Sequence, residues 1–292
     1  MSAFSNELAT PNFLVTSELT PPKGIDLTGL LQKAQSLKGI ITAFNLTESH
    51  AARMSMDPVA AAHVLLDHGI EPIVQMTSRD KNRIAIQASI LGAAALGISN
   101  ILFMGGDPPK NGDHPDAKPV FDLFSSQLLE AAQALRSGTD LTGHHLRGTP
   151  VLTVGAVFNP GASDVSDEIE NLRRKEDGGA EFFQTQAVFD PTAFEQFIEK
   201  ARPTRPVLAG VIPIKSVKMA KYMNEKVPGI EIPASQIEEI QSAGEDENRI
   251  AAVSIGIAAR TVRALRSVAR GVHIMAIGWE DRIPAILEQS HH

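Results

Sequence analysis

A closed (β/α)8 TIM barrel is the fold class this sequence predicts, and three observations predict it. Eight short β-like runs recur along the chain, each followed by a helical pattern except where a loop intervenes. Strand, helix, strand repeated in this way implies a parallel sheet with right-handed crossovers. The composition agrees, because 43% hydrophobic with only 5% aromatic residues suits helices packed on a buried parallel sheet. The length of 292 residues exceeds the usual domain but fits a barrel, which folds around one core at roughly 250 residues. An open doubly wound sheet is the runner-up. One catalytic domain over 1–292 is expected, with 1–12 as an N-terminal extension and 289–292 as a tail. His291-His292 reads as a tag remnant or as real tail.

The β-like runs lie at 13–18, 39–44, 72–76, 100–104, 150–157, 181–186, 206–212 and 271–277. Helix signals lie between them. Asp57-Pro58 is an N-cap followed by proline at the first helical position, and Gly69 supplies a stop. A helix is expected over 80–96, ending at Gly97. Another is expected over 164–177, with acids at its start and Arg173, Arg174 and Lys175 near its end, so that its charges complement the helix dipole. Two stretches, 108–120 and 227–248, are too long for plain connections; the second carries a short helix near 235–242. Long ordered loops are often lids or binding loops.

The formal charge of −7 argues against a nucleic-acid surface, which needs clustered cations. Zero cysteines exclude disulfides, thiolate metal sites and a cysteine nucleophile. The start of the chain lacks a signal-peptide pattern, and no run approaches about 18 apolar residues. A cytoplasmic protein without a membrane partner is expected. The nine histidines form no metal-ligand spacing, so no metal site is expected. His50, His63 and His68 read as surface or helix residues and His114 as a loop residue. Gly-x-Ser-x-Gly, P-loop and Gly-x-Gly-x-x-Gly patterns are absent, which lowers the odds of serine hydrolase, P-loop and Rossmann functions.

The stretch Met104-Gly105-Gly106-Asp107-Pro108-Pro109 places a carboxylate on a turn at the end of an apolar strand. Gly-Gly permits the tight turn and Pro-Pro holds the exit extended. A helix or turn cap is the plainer reading of Asp107. In a barrel, however, strand C-termini converge on one pocket. Here they carry Glu18, Asn45, Gln75 with Thr77, Asp107, Phe158 with Asn159, and Gln186. Unpaired polar groups have no use in core packing, so this ring suggests proton transfer and hydrogen-bond recognition of a nitrogen-rich ligand. Glu18 in an apolar neighbourhood could act as a general acid; a surface glutamate is the alternative. Glu168, Asn171 and Lys175 share one helical face, which a solvated face also explains. An aldolase-type barrel would need a Schiff-base lysine, for which Lys215 is the nearest candidate.

Four ordered motifs resemble the methylenetetrahydrofolate reductase family over nearly the whole chain. They are Glu18 with Pro21-Pro22, Gly106-Asp107 with Pro108-Pro109, Asn171-Leu172-Arg173-Arg174-Lys175 with Gly178 and Ala180, and Thr185-Gln186 with Phe189-Asp190. The resemblance implies reduction of 5,10-methylenetetrahydrofolate to 5-methyltetrahydrofolate by NAD(P)H, usually through FAD, or the reverse reaction. It implies Glu18 as general acid and Asp107 as the pterin-binding acid beside the flavin. Gln186, Met219 and Met223 would lie on the folate side. Asn45, Gln75, Gly106, Asp107 and Phe158 would border the cofactor, and Glu168, Asn171, Arg174 and Lys175 would hold its ribityl, phosphate or adenosine groups.

Departures from the family pattern are Gln75 in place of a histidine, Gly105 in place of an arginine, and Met219, Tyr222 and Met223 where an aromatic and a glutamine are frequent. Flavin-independent hydride transfer is therefore one alternative; a pterin-binding methyl-transfer or partner-subunit barrel is another. NADH versus NADPH, direction and homo-oligomer formation stay open.

Overall fold

The computed structural model describes residues 2–291. Eight strands close into a barrel in chain order: β1 (Leu14–Leu19), β2 (Ala43–Leu46), β3 (Pro72–Thr77), β4 (Asn100–Met104), β5 (Thr153–Phe158), β6 (Phe182–Ala187), β7 (Val207–Val211) and β8 (Gly271–Ile274). Every neighbouring pair is parallel, and β1 pairs with β8 to complete the ring. The sheet is therefore a closed barrel and not an open one. The helices are α1 (Ala3–Leu8), α2 (Thr28–Ser36), α3 (Pro58–Asp67), α4 (Arg83–Ala95), α5 (Ser125–Arg136), α6 (Val165–Asp177), α7 (Pro191–Ala201), α8 (Val217–Lys226), α9 (Ala234–Ser242), α10 (Glu247–Leu265) and α11 (Ile283–Gln289).

Side chains alternate across the strands, and the two faces bury different things. Outward residues such as Phe44, Val74, Phe103, Val154, Phe183 and Val272 pack with Ile86, Ile90, Leu128 and Leu172 of the helical shell. Inward residues at the strand starts, Leu14, Ala43, Ile73, Leu102, Phe182 and Leu208, form a separate cluster at the barrel base. Phe4 of α1 inserts there, fully buried and edge-on to Phe182 at 5.1 Å between ring centroids. The expected N-terminal extension is thus the plug of the base. At the other end of the chain, Ser290 is buried.

The strands differ from the sequence expectation in their limits. β2 starts four residues late, because Gly39 adopts φ +85° and the Ile40 and Ile41 amides both bond to the Leu37 carbonyl, which makes a turn of that stretch. β5 starts beyond Pro150, whose nitrogen has no hydrogen to give a ladder. β8 stops at Ile274, and Ile277 lies in the left-handed region at φ +51°. α3 begins as expected: Asp57 accepts from the Val59 amide at 2.8 Å, and Gly69 at φ +64° follows its end. α4 starts later than 80 because Asn82 is the cap, whereas Asp80 grips Arg79. α6 is capped by Asp164 with acids first and cations last. Among the described residues no helix is long and apolar enough to cross a membrane, and no cluster of three His, Asp or Glu could hold a metal ion.

Candidate active site

Glu18 stands at the C-terminal mouth of the barrel, next to last in β1, half-buried. Its side chain shares the inward face with Leu14 and Thr16. Gln75 of β3, itself buried, donates from Nε2 to Glu18 Oε2 at 3.4 Å. Burial pushes the Glu18 carboxyl above its ordinary range; the positive charge of His50 and the Gln75 hydrogen bond oppose this without cancelling it. Glu18 therefore holds its proton more tightly than a solvated glutamate does.

Beneath Glu18 lies a polar layer inside the barrel. Asn45 and Gln184 exchange two hydrogen bonds, Asn45 Nδ2 to Gln184 Oε1 at 2.7 Å and Gln184 Nε2 to Asn45 Oδ1 at 3.1 Å. Gln184 Nε2 also reaches Thr16 Oγ1 at 3.4 Å, and Thr16 Oγ1 lies 3.0 Å from His273 Nδ1. All four residues are buried. Desolvation pushes His273 down to about 3, so the imidazole is neutral. Asn45 thus sits within the barrel floor, one layer below the mouth where the strand-end reading places it. Thr16, Gln184 and His273 are not singled out by the sequence pattern; the alternation of Gln184 with Gln186 is the one signal that puts a second amide on the same face.

Asp107 is exposed on the β4 exit. Gly106 holds φ +88°, and a Cβ there would lie 3.0 Å from Thr77 Cβ, so only glycine lets the turn press against the end of β3. Thr77 is fixed in turn by Glu48, whose Oε2 accepts from the Thr77 amide at 2.6 Å and its hydroxyl at 2.8 Å. Lys81 pairs with the other Glu48 oxygen. Burial lowers the Lys81 ammonium to about 8. Gln186 is half-buried at a register shift in β6, its Oε1 taking the Ala187 amide at 3.0 Å. Glu18, Gln75, Asp107 and Gln186 all stand at strand ends on the same barrel mouth. Two cavities open beside β1: one of about 420 Å³ includes Glu18, Thr20, Lys33 and Glu280, the other of about 590 Å³ includes Thr20, His50, Arg53 and Asp113. A further cavity of about 600 Å³ lies at the opposite end, by the strand starts Pro72 and Asn100, far from these groups.

The remaining expected residues are engaged as follows. Phe158 faces the helical shell, stacked on Phe197 at 5.4 Å and edge-on to Phe183. Glu168 accepts from the Asn159 amide at 2.8 Å and from Asn171 Nδ2 at 3.0 Å. Arg174 pairs with Glu170 on the surface. Lys175 is buried and donates from Nζ to the Val157 carbonyl at 2.7 Å; desolvation lowers its pKa. Met223 is buried and Met219 half-buried in an apolar cluster with Ile212, Ile214 and Ile230, while Tyr222 is exposed.

The chain matches the profile of the family described as Methylenetetrahydrofolate reductase from residue 3 to residue 291. It belongs to the methylenetetrahydrofolate reductase family. Similar curated proteins include Methylenetetrahydrofolate reductase 2 of Schizosaccharomyces pombe, 24% identical over 238 residues that make up 76% of this chain and 36% of that one. A probable methylenetetrahydrofolate reductase (NADPH) of Caenorhabditis elegans is 24% identical over 80% of this chain and 34% of its own length. The chain thus spans about a third of the curated relatives it matches. Among solved structures, an uncharacterized protein from Clostridium thermocellum, described as binding two copies of 5-methyl-5,6,7,8-tetrahydrofolic acid, superposes with a TM-score of 0.61 at 15% identity, covering 99% of this chain and 98% of that one. A 2,3-dimethylmalate lyase reaches 0.56 at 11% identity over 98% of this chain and 84% of its own. At such identities these two show a shared barrel.

Within this methylenetetrahydrofolate reductase family member, the residues that the motif resemblance assigns to a flavin clamp make bonds within the protein. A diphosphate needs a free cation or free amides. Lys175 bridges α6 and β5, Glu168 and Asn171 are bound to each other and to the β5 exit, and Arg174 pairs with Glu170 on the exposed face of α6. Gly105, where an arginine is usual, adds no charge.

Proposed function

We propose that this chain reduces 5,10-methylenetetrahydrofolate to 5-methyltetrahydrofolate, with NADH or NADPH giving its hydride directly to the one-carbon unit. The observation that carries this is Glu18: the glutamate of the Glu-x-x-Pro-Pro motif lies at the barrel mouth in a setting that favours its protonated form. Methylenetetrahydrofolate bridges N5 and N10 through one carbon. A proton from Glu18 to N10 breaks the N10–CH2 bond and leaves an N5 iminium, which a hydride then reduces to the methyl group. One proton and one hydride balance the reaction.

Asp107, free on its glycine turn, accepts hydrogen bonds from the pterin N–H groups, and Gln186 presents an amide to the same ring system. Gln75 orients the Glu18 carboxyl. The commitment of Lys175, Glu168 and Asn171 to structural bonds supports direct transfer over a flavin relay. Two measurements on the purified full chain test this: its visible absorption spectrum, and NAD(P)H oxidation on adding methylenetetrahydrofolate. Substrate-dependent oxidation without flavin bands is expected. Stoichiometric flavin would sink direct transfer, and absence of oxidation with either nucleotide would sink the reductase reading.

A further inference from the structure

The reaction proposed above leaves Glu18 deprotonated after each turnover, so a proton must return to it before the next. Paired ends of β1 and β2 show where that route runs. Glu18 is in register with Asn45 and Leu19 with Leu46, and the Thr47 amide bonds to the Leu19 carbonyl, so the chain leaving β2 rises alongside the acid. Three residues later it presents His50, exposed to solvent yet near enough to Glu18 to act on its charge.

This placement is held against backbone preference. Ser49, Ala51 and Ala52 have φ of 46°, 52° and 56°, the left-handed region that residues with a Cβ rarely adopt. Three neighbouring elements hold the segment there. Arg79, on the β3 exit, donates to the Ser49 carbonyl at 3.3 Å. Asp113, on the β4 loop, accepts from the Met54 amide at 3.0 Å, and Gly112 lies so close to Ala52 that any Cβ would strike its carbonyl. The Met56 amide bonds to Pro22 beyond β1. His50 lines the cavity of about 590 Å³, and Thr20, two residues after Glu18, is shared by that cavity and the one that includes Glu18.

We propose that His50 is the proton-relay partner of Glu18, recharging the acid between turnovers from water in the adjoining cavity. The imidazolium gives its proton to the Glu18 carboxylate, directly or across one water, and the neutral ring takes a proton from solvent. One proton enters per turnover, the one that ends on N10. The other charged groups around this point are largely paired. Glu48 holds Lys81 and Thr77, Arg79 holds Asp80, and Asp113 holds Lys23 and His114. Arg53 of the same loop lines the cavity, and Asp107 stands on the β4 exit.

This inference rests on the reductase reading, and its test separates the two. Full-length wild type, His50→Gln and His50→Lys are compared in steady-state kcat and KM across pH, with and without free imidazole. Their Glu18 carboxyl is also followed by carbon-13 NMR titration. In His50→Gln, kcat falls about tenfold or more with KM little changed, added imidazole restores part of it, and the Glu18 midpoint rises because an opposing cation is gone. His50→Lys keeps the midpoint near that of wild type but does not restore kcat. An unchanged kcat and pH profile in His50→Gln, or a change confined to KM, overturns the relay. If wild type itself oxidises no NAD(P)H, the reductase reading fails, and the NMR midpoint decides alone: an unmoved Glu18 in His50→Gln overturns the inference.

Discussion

Gln75 donates to Glu18 across the barrel mouth at 3.4 Å, a long bond that leaves burial as the main influence on the acid. A shorter, stronger bond to the carboxylate would stabilise the charged form and blunt proton donation.

Glu18→Gln is expected to lower kcat by about a hundredfold or more, the usual worth of a positioned general acid. In wild type, activity declines on the alkaline side as pH rises through the elevated Glu18 pKa, and this limb is absent from the residual rate of the variant. Stability follows with a defined sign. A carboxyl whose folded pKa is raised contributes fully below its unfolded pKa, and that contribution is lost as pH rises through the folded value. Glu18→Gln therefore unfolds at higher urea than wild type in mildly alkaline buffer, and the gap shrinks in acid.

His273→Gln tests the polar layer. The folded pKa of about 3 lies below the ordinary 6.5, so the neutral imidazole stabilises fully above 6.5, and the contribution is lost as pH falls toward 3. The full loss is on the order of 5 kcal/mol. Urea midpoints measured from neutral to acid pH should fall less steeply in His273→Gln than in wild type. Parallel curves would mean that His273 titrates normally.

Gly106→Ala places a Cβ 3.0 Å from Thr77 Cβ in a left-handed turn. The expected result is a stability loss of about 1 kcal/mol or more together with a raised KM for the folate, since Asp107 moves with the turn. Calorimetry and steady-state kinetics read the two effects separately.

Lys175→Met removes the bond to the Val157 carbonyl while keeping much of the side-chain volume. The tether role predicts a stability loss of about 1–3 kcal/mol, with kcat per folded molecule retained. A fall in kcat without loss of stability would return Lys175 to the ligand face.

Phe4→Ala empties the barrel base. A fully buried aromatic on Phe182 is expected to cost about 3–5 kcal/mol, readable as a lowered thermal midpoint.

Much of this was legible from residue order. Glu18, Asp107 and Gln186 could be placed on one mouth because each ends a β-like run, and parallel closure carries all such ends to one rim. The floor was not legible: Thr16, Gln184 and His273 sit in apolar runs, and what makes them a layer is their pairing across the ring, with 257 residues between Thr16 and His273. Helical spacing put Glu168, Asn171 and Lys175 on one face, yet period alone does not say whether that face meets a ligand or the sheet. The β2 limits slipped because Gly39 and Ile40 spell strand and turn equally well. His50 carried no signal, since its role depends on strain imposed by loops from β1, β3 and β4.

Closure of the ring by β1 and β8 has a consequence for how the molecule comes into being. Glu18 belongs to the first strand of the barrel, but the wall and floor beside it need His273 and the Ser17 hydroxyl bond to the Ile274 carbonyl at 2.9 Å, both from the last strand. Contacts so distant in sequence form slowly. A chain that stops short of β8 would leave β1 without one of its two sheet neighbours, so the setting of the motif glutamate is complete only once the ring has closed.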